Sequence, residues 1–515
     1  MKKLLVTPFI IVGMAAPFAF ANEAMMNMSD MTSKDSMMMS GMSMSGMNMP
    51  HTSMSGMDMS HMSMSGMMMN KDHQHQEMPM NTLKAHNKLP ANIADQIDKK
   101  ISGLSFSKLE KLHDKMFTLK SKIWLEKVKF KNNDLVLSVL NSMMDSVSEK
   151  LGKSLVTNEK IYIANEGDSS IVVIDSNSKK VIKSIDLSEE HDGKIIYYSA
   201  HNVQVSPNGK IVAVTANVVM GKDEHNEKDE HSQKDEHSQK DEHSQKDEHS
   251  ESMGDKDIII LIDPQTDTIT GRIEVDAGVH LAHIVINNDA TYAYFVSQEK
   301  GKIYQLSLTS HAIEKAIDLE NGSQPHGIRL SPDGKFLYIA LLGKQALGVY
   351  DTSTDAIEYI PLGDKAVQVA ITPDNTYAFA SLYNTKRIAR YNVQSKVVDF
   401  IDLPQDAQGP VQIYPSPDSN YLYVADQGYY FGKQTGHTIY KIDIKKAQVV
   451  SSFLGGDGPH GVVVSKDGNY VYVTNLLSHT LSVIDTKTNT VAHNVNIGKT
   501  PNGISIWTKG QGGTP

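Results

Sequence analysis

Not one of the 515 residues is a cysteine. That absence removes disulfides, thiolate metal sites, thiol catalysis, a lipoprotein anchor and haem attached through Cys-x-x-Cys-His. Any bound metal must therefore rest on His, Met or carboxylate. Past the N-terminus no apolar run approaches the roughly 20 residues that span a bilayer as a helix. Neither a Gly-x-Ser-x-Gly elbow, a Walker-type phosphate loop nor a His-Glu-x-x-His helix occurs, so the common hydrolase, nucleotide and zinc-protease signatures are missing. No basic patch stands out either. The formal charge of −10 comes largely from residues 222–251, where 12 Asp/Glu stand against 5 Lys (net −7). A strong electrostatic hold on nucleic-acid phosphates is not indicated.

What the sequence does contain changes sharply along its length. Lys2 and Lys3, an apolar run from Leu4 to Ala16 and Ala19-Phe20-Ala21 read as a secretory signal over residues 1–21, cleaved before Asn22. The expected product is periplasmic or secreted, without a membrane span. Residues 25–80 then hold 21 of the 28 methionines, set among Ser, Gly, Asn and Asp. Flexible thioethers without branched or aromatic partners cannot build a packed core, so the segment 22–82 is expected to be disordered. Met42, Met44, Met47 and Met49, and again Met57, Met59, Met62 and Met64, follow Met-x-Met and Met-x-x-Met spacings. A flexible chain with such spacing can wrap several soft sulfurs round one ion, and thioethers favour Cu(I). His51, His61, His73 and His75 nearby add imidazoles that also take Cu(II). In composition the segment resembles the Met-rich and His-rich stretches of periplasmic copper-resistance proteins. A low-complexity spacer, or a tail that scavenges oxidants as methionine sulfoxide, is the plainer alternative.

Over residues 83–155 apolar residues recur at helical spacing, among them Ile97, Ile101, Leu104, Leu109, Leu112, Met116, Leu119 and Ile123, then Val136, Leu140, Met143, Val147 and Leu151. Two or three amphipathic helices are predicted, with Met143 and Met144 as packing residues rather than ligands.

From 156 to 510 the sequence repeats every 40 to 50 residues, apart from one longer spacing. Repeats of that length made of short β-type runs signal a propeller. The unit is clearest in Pro459-His460-Gly461 followed by Ser465-Lys466-Asp467-Gly468 and Tyr472-Val473-Thr474-Asn475. It resembles the YVTN β-propeller repeat, and related copies include Tyr162-Ile163-Ala164-Asn165, Tyr338-Ile339-Ala340 and Tyr423-Val424-Ala425-Asp426. Seven inner strands can be counted, near 202–206, 282–286, 327–331, 368–372, 412–416, 461–465 and 503–507. The first repeat lacks an inner strand and the last strand has nothing after it, so the two ends should complete one blade. The predicted fold class is thus all-β, a seven-bladed propeller preceded by a disordered Met-rich segment and a short helical connector. The recurring Asp175, Asp263, Asp351, Asp443 and Asp485 close third strands and are expected to cap the turn that follows.

Aligned on the Ser-Pro-Asp-Gly turn, His201, His326, His460 and Asn502 share one position at the mouth of the inner strand, and His283, Gln368 and Gln412 fall one residue further on. His280 and His191 fall in loops entering inner strands, and His437 and His479 in second-to-third-strand loops of the same face. Inner strands converge on an axial channel, so imidazoles from different blades can approach one centre. Three neutral imidazoles suit Cu or Zn. At fold level this looks similar to nitrous oxide reductase, which holds copper on hub histidines, and to the selenium-binding-protein group. The plainer alternative is that Pro-His-Gly is a variant of the repeat whose imidazoles bond to neighbouring blades or water.

The long spacing comes from residues 222–254 in blade two, where Lys-Asp-Glu-His-Ser-Gln repeats and puts His225, His231, His237, His243 and His249 six apart. On a helix six residues turn the chain by about 600°, so successive histidines share no face. A disordered, solvated loop holding several exchanging ions such as Cu(II), zinc or nickel is expected, or an expanded acidic repeat without a ligand.

Three functions follow: copper sequestration, tolerance or delivery; a copper-dependent oxidoreductase with its site at the hub; or a surface scaffold or adhesion propeller whose face binds another periplasmic protein.

Overall fold

The computed structural model of the protein describes residues 99, 101–124, 128, 133–152, 158–191, 194–219, 256–276 and 278–513. The predicted signal segment, the methionines Met42 to Met64 and the histidines His225 to His249 lie outside the described residues. Two compact units are present, a helical one and a strand-built one.

In the helical unit, α1 (Phe106–Trp124) and α2 (Asn133–Gly152) pack on each other. Leu109, Met116, Leu119 and Ile123 on α1 and Val136, Leu140, Met143, Met144 and Val147 on α2 are buried. The helical periodicity of the apolar residues thus becomes one shared core, with both methionines inside it. No described helix is long and apolar enough to cross a membrane.

The second unit is a seven-bladed β-propeller. Six blades are consecutive four-stranded antiparallel meanders, with inner strands Tyr198–Val205, Leu281–Ile286, Pro325–Leu330, Ala366–Ile371, Pro410–Pro415 and Pro459–Val464 in blades two to seven. Blade one is completed from both ends, as the repeat count requires: Glu159–Asn165, Ser170–Asp175 and Lys180–Asp186 come from its start, and the inner strand Pro501–Thr508 from its end. Across this seam Ile161 pairs with Ile506 and Glu159 with Thr508. Trp507 is buried and donates from Nε1 to the Gly209 carbonyl of blade two (2.9 Å). Ring closure leaves no free inner edge.

The recurring turns have a local cause. Ser331 Oγ accepts from the Lys335 and Phe336 amides (3.1 and 2.9 Å) and donates to Asp333 (2.6 Å). Ser465 does the same with Tyr470 and Asp467. The fourth position is left-handed, with φ of 75° at Gly334 and 71° at Gly468, which explains the glycine there. The third-strand aspartates cap turns: Asp351 accepts from the Ser353 amide (2.8 Å), Asp485 from Lys487 (2.8 Å), Asp263 from Gln265 (2.8 Å), Asp443 from Lys446 (2.9 Å) and Asp175 from Ser178 (2.9 Å).

Every inner strand carries one extra residue near its start. The register slips between Ala200 and Asn202, Leu281 and Ile284, Pro325 and Ile328, Ala366 and Val369, Pro410 and Ile413, and Pro459 and Val462, and in blade one opposite Ile163/Asn165. A hydroxyl on the second strand secures the bulge. Thr474 Oγ1 accepts from the Gly461 amide (2.7 Å) and donates to the Asn502 carbonyl of the next blade (2.9 Å). Thr215 and Ser381 play the same part in blades two and five. Thr474 of the Tyr-Val-Thr-Asn stretch is therefore a tie between blades. The glycine of Pro-His-Gly is equally local, because a Cβ at Gly327 would stand 2.1 Å from Gln368 Oε1 and one at Gly461 would stand 2.4 Å from the Asn502 carbonyl.

Candidate functional site

The bulges decide where the imidazoles go, since an extra residue re-aims the side chain it carries. His201, His283, His326 and His460 all sit on bulge residues, as do Gln368, Gln412 and Asn502. His201, His283 and His326 come from blades two, three and four, which are consecutive, and one ring nitrogen from each lies within 4.8 Å of the other two. Their ring centroids are 5.0 to 5.5 Å apart, and His280 stands 6.0 Å from His201. All but His280 are buried.

Three of these rings are oriented through Nδ1. His201 Nδ1 meets Glu166 Oε1 at 2.7 Å, His326 Nδ1 meets the Val367 carbonyl at 2.9 Å, and His460 Nδ1 meets Gln427 Oε1 at 2.5 Å. An acceptor at Nδ1 fixes the proton there and leaves Nε2 as the lone-pair nitrogen. Among the described residues Nε2 of His201 is buried without a hydrogen-bond partner, and Nε2 of His460 is buried with no well-formed bond, although Asn502 lies near enough to favour its imidazolium. Gln427 Nε2, Asn502 Oδ1 and both amide atoms of Gln298 are likewise buried without a hydrogen-bond partner. So many orphaned polar atoms at one mouth point to a group that belongs there, whether water or ion. His283 differs, because the amides of Gln368 and Gln412 lie 3.3 Å from its Nε2.

Electrostatics keep most of the cluster uncharged. Burial, and then the neighbouring imidazoles of His326 and His201, hold His283 well below the usual histidine range. Burial and His201 do the same to His326. Burial lowers His460 to about 4 despite the pull of Glu166 in the other direction, and burial lowers His280 as well. Burial alone would raise the Glu166 carboxyl. The His201 bond, the His201 and His460 imidazoles and the Asn502 amide (2.8 Å) override it, so Glu166 stays below its usual value and puts an anion beside His201. Neutral imidazoles with aimed lone pairs can ligate a cation, and a tetrahedral ion with bonds near 2.0 Å needs donors about 3.4 Å apart. Inward ring movement of roughly an ångström would close the set to that spacing.

Of the hub residues expected from sequence, the structure brings together His201, His283 and His326, while His460 faces them from blade seven. His437 is not in a loop: it lies in the third strand Thr435–Asp443 of blade six, which continues the hairpin past the expected turn, and it pairs at the surface with Asp457 (3.0 Å). His479 holds a left-handed turn, φ 60°, and accepts from the Thr500 amide (3.1 Å). Sequence reasoning missed Glu166 and Gln427. A signal existed, since Glu166 directly follows the second strand of its repeat, as do Gln298, Leu342, Tyr383 and Leu476, and Gln427 holds the equivalent place near the end of a second strand that runs on to Gly428. Each of these six donates its amide to a carbonyl just before an inner strand.

Comparison with known proteins bears on the fold. A family model described as YNCE-like beta-propeller matches residues 429–512. Antigen Lp49 of Leptospira interrogans is similar over 175 residues at 29% identity, which is 31% of this chain and 38% of that protein's length. A solved structure of a functionally unknown protein from Desulfotomaculum acetoxidans is similar at TM-score 0.50 and 14% identity, covering 67% of this chain and 98% of its own. Virginiamycin B lyase from Staphylococcus aureus is similar at TM-score 0.44 and 17% identity, covering 61% and 93%. Identities this low speak to architecture alone. The chain is a β-propeller repeat protein of seven blades.

Proposed function

We propose that the mouth of the propeller binds a transition ion through Nε2 of His201 and His326 together with His283, and that the protein serves copper sequestration, tolerance or delivery in the periplasm or outside the cell. The observation that carries this reading is the convergence of His201, His283 and His326, with a ring nitrogen of each within 4.8 Å of the others and with Nδ1 of His201 and of His326 already anchored. That arrangement matches the outer-sphere pattern of metal-bound histidines, in which a carboxylate or carbonyl holds the far nitrogen. Copper is chosen over zinc by the Met-rich segment, whose thioethers favour Cu(I); the His-rich repeats would collect Cu(II), zinc or nickel more loosely.

Titrating the full chain and a chain lacking residues 25–80 with Cu(I) and Cu(II) tests this. The truncated chain should lose most Cu(I) capacity and keep one tight Cu(II). If the full chain takes up no more than one Cu(I), or truncation changes nothing, the sequestration reading fails. One observation favours a second reading. Among the described residues three imidazoles converge, and a three-ligand site with an open position is the form in which copper or zinc does chemistry. A copper-dependent oxidoreductase would then use the tail as its ion supply.

A further inference from the structure

We propose a second ligand site in the axial channel, a subsite for a small oxyanion or carboxylate centred on Arg329. Arg329 lies on the inner strand of blade four, three residues past His326 and only 9% exposed. Among the described residues its guanidinium makes one hydrogen bond, from Nη1 to the Ile328 carbonyl next to it (2.9 Å). Among the described residues no carboxylate comes within 4.0 Å of it. Arginine does not give up its proton, so this is a buried cation whose fork of donors is largely unspent.

The repeat shows how bare of acid this level of the channel is. The residues equivalent to Arg329, two before each turn, are Gln204, Val285, Ala370, Tyr414, Val463 and Ser505. None is acidic. Tyr414 belongs to blade six, two blades away, yet it lies close enough to Arg329 for a charge on one to be felt by the other. The guanidinium also reaches His283, where its charge disfavours an imidazolium. Arg329 thus sits on an inner strand within electrostatic range of the histidine cluster, and none of the residues at its level of the ring is acidic. A buried charge left unpaired destabilises the fold, a penalty that a bound anion removes. The guanidinium fork matches two coplanar oxygens, which selects a carboxylate or an inorganic oxyanion over a halide. This inference does not depend on the ion proposed above.

The test uses the full chain in the presence of a metal chelator, so that failure of the ion site leaves the result intact. Formate and sulfate are titrated separately by calorimetry into the wild type, Arg329→Met and Arg329→Lys. Saturable binding of one probe per chain is expected in the wild type, with formate alone marking a carboxylate ligand and sulfate alone an inorganic oxyanion. Arg329→Met should abolish it, and Arg329→Lys, which keeps the charge and loses the fork, should weaken it at least tenfold. No saturable binding of either probe in the wild type overturns the proposal. So does binding that is unchanged in Arg329→Lys, a comparison that stands even if Arg329→Met does not fold.

Discussion

At pH 5 the hub should keep an ion that ordinary histidine sites release. A ligating imidazole must be neutral, so protons compete with metal once the pH falls below the pKa of the free ligand. A solvated histidine near 6.5 is only about 3% neutral at pH 5, roughly a thirtyfold loss of apparent affinity per ligand. Two such ligands lose on the order of a thousandfold between pH 7.5 and 5. This is the behaviour expected of histidines that stay in contact with water. In the hub the sign differs. A histidine whose folded pKa is depressed stays neutral between that value and 6.5, so proton competition begins only below it. His460, at about 4, is still roughly nine-tenths neutral at pH 5. His283 and His326, also held well below the usual range by burial, should lose far less than their solvated counterparts. The assay is copper per chain by elemental analysis after loading with Cu(II), which the thioether tail disfavours, and desalting at pH 7.5 and at pH 5. One ion should remain at pH 5 in the wild type and none in His326→Ala. Complete loss from the wild type at pH 5, or equal retention in the variant, would refute the reasoning.

Three further outcomes follow from the geometry. Glu166→Gln keeps an oxygen for the Asn502 amide but removes the charge behind His201, and should weaken Cu(II) binding by about 10- to 100-fold; an unchanged affinity in a competition titration would show that Glu166 is not a positioning residue. Trp507→Ala opens the seam where it is buried and bonded to Gly209, and should cost about 3–5 kcal/mol, with deletion of residues 500–515 costing more; a melting temperature unaffected by both would contradict the closure. Thr474→Val leaves the buried Gly461 amide without its acceptor and unties blade seven from blade one, for about 1–3 kcal/mol in denaturant midpoints, whereas a neutral effect would remove the tie's role.

The propeller was legible because each repeat states its own local rules. Ser465-Lys466-Asp467-Gly468 specifies a turn, the run to Asn475 a buried strand, and the missing inner strand at the start a closure with Ile504 and Ile506. Both helices were legible for the same reason, from the spacing of Leu109, Met116 and Ile123. The site was only half visible. Alignment on the turn puts His201, His326 and His460 at one level and His283 one residue further on, without saying which of them meet. The bulge, a departure from ladder register that no residue type announces, turns His283 in beside His201 and His326. Glu166 and Asn502 stand 336 apart in sequence and meet because the ring closes between them. Arg329 carries no motif, and its isolation from acids becomes apparent once all seven inner strands are in register.

X-ray absorption at the copper edge, on the full chain loaded with one Cu(II) and washed at pH 5, tests the central claim most directly. The account predicts about three nitrogen neighbours near 2.0 Å with imidazole scattering, lost in His201→Ala/His326→Ala. An oxygen-dominated shell without imidazole scattering, or a spectrum the double substitution leaves unchanged, would contradict it.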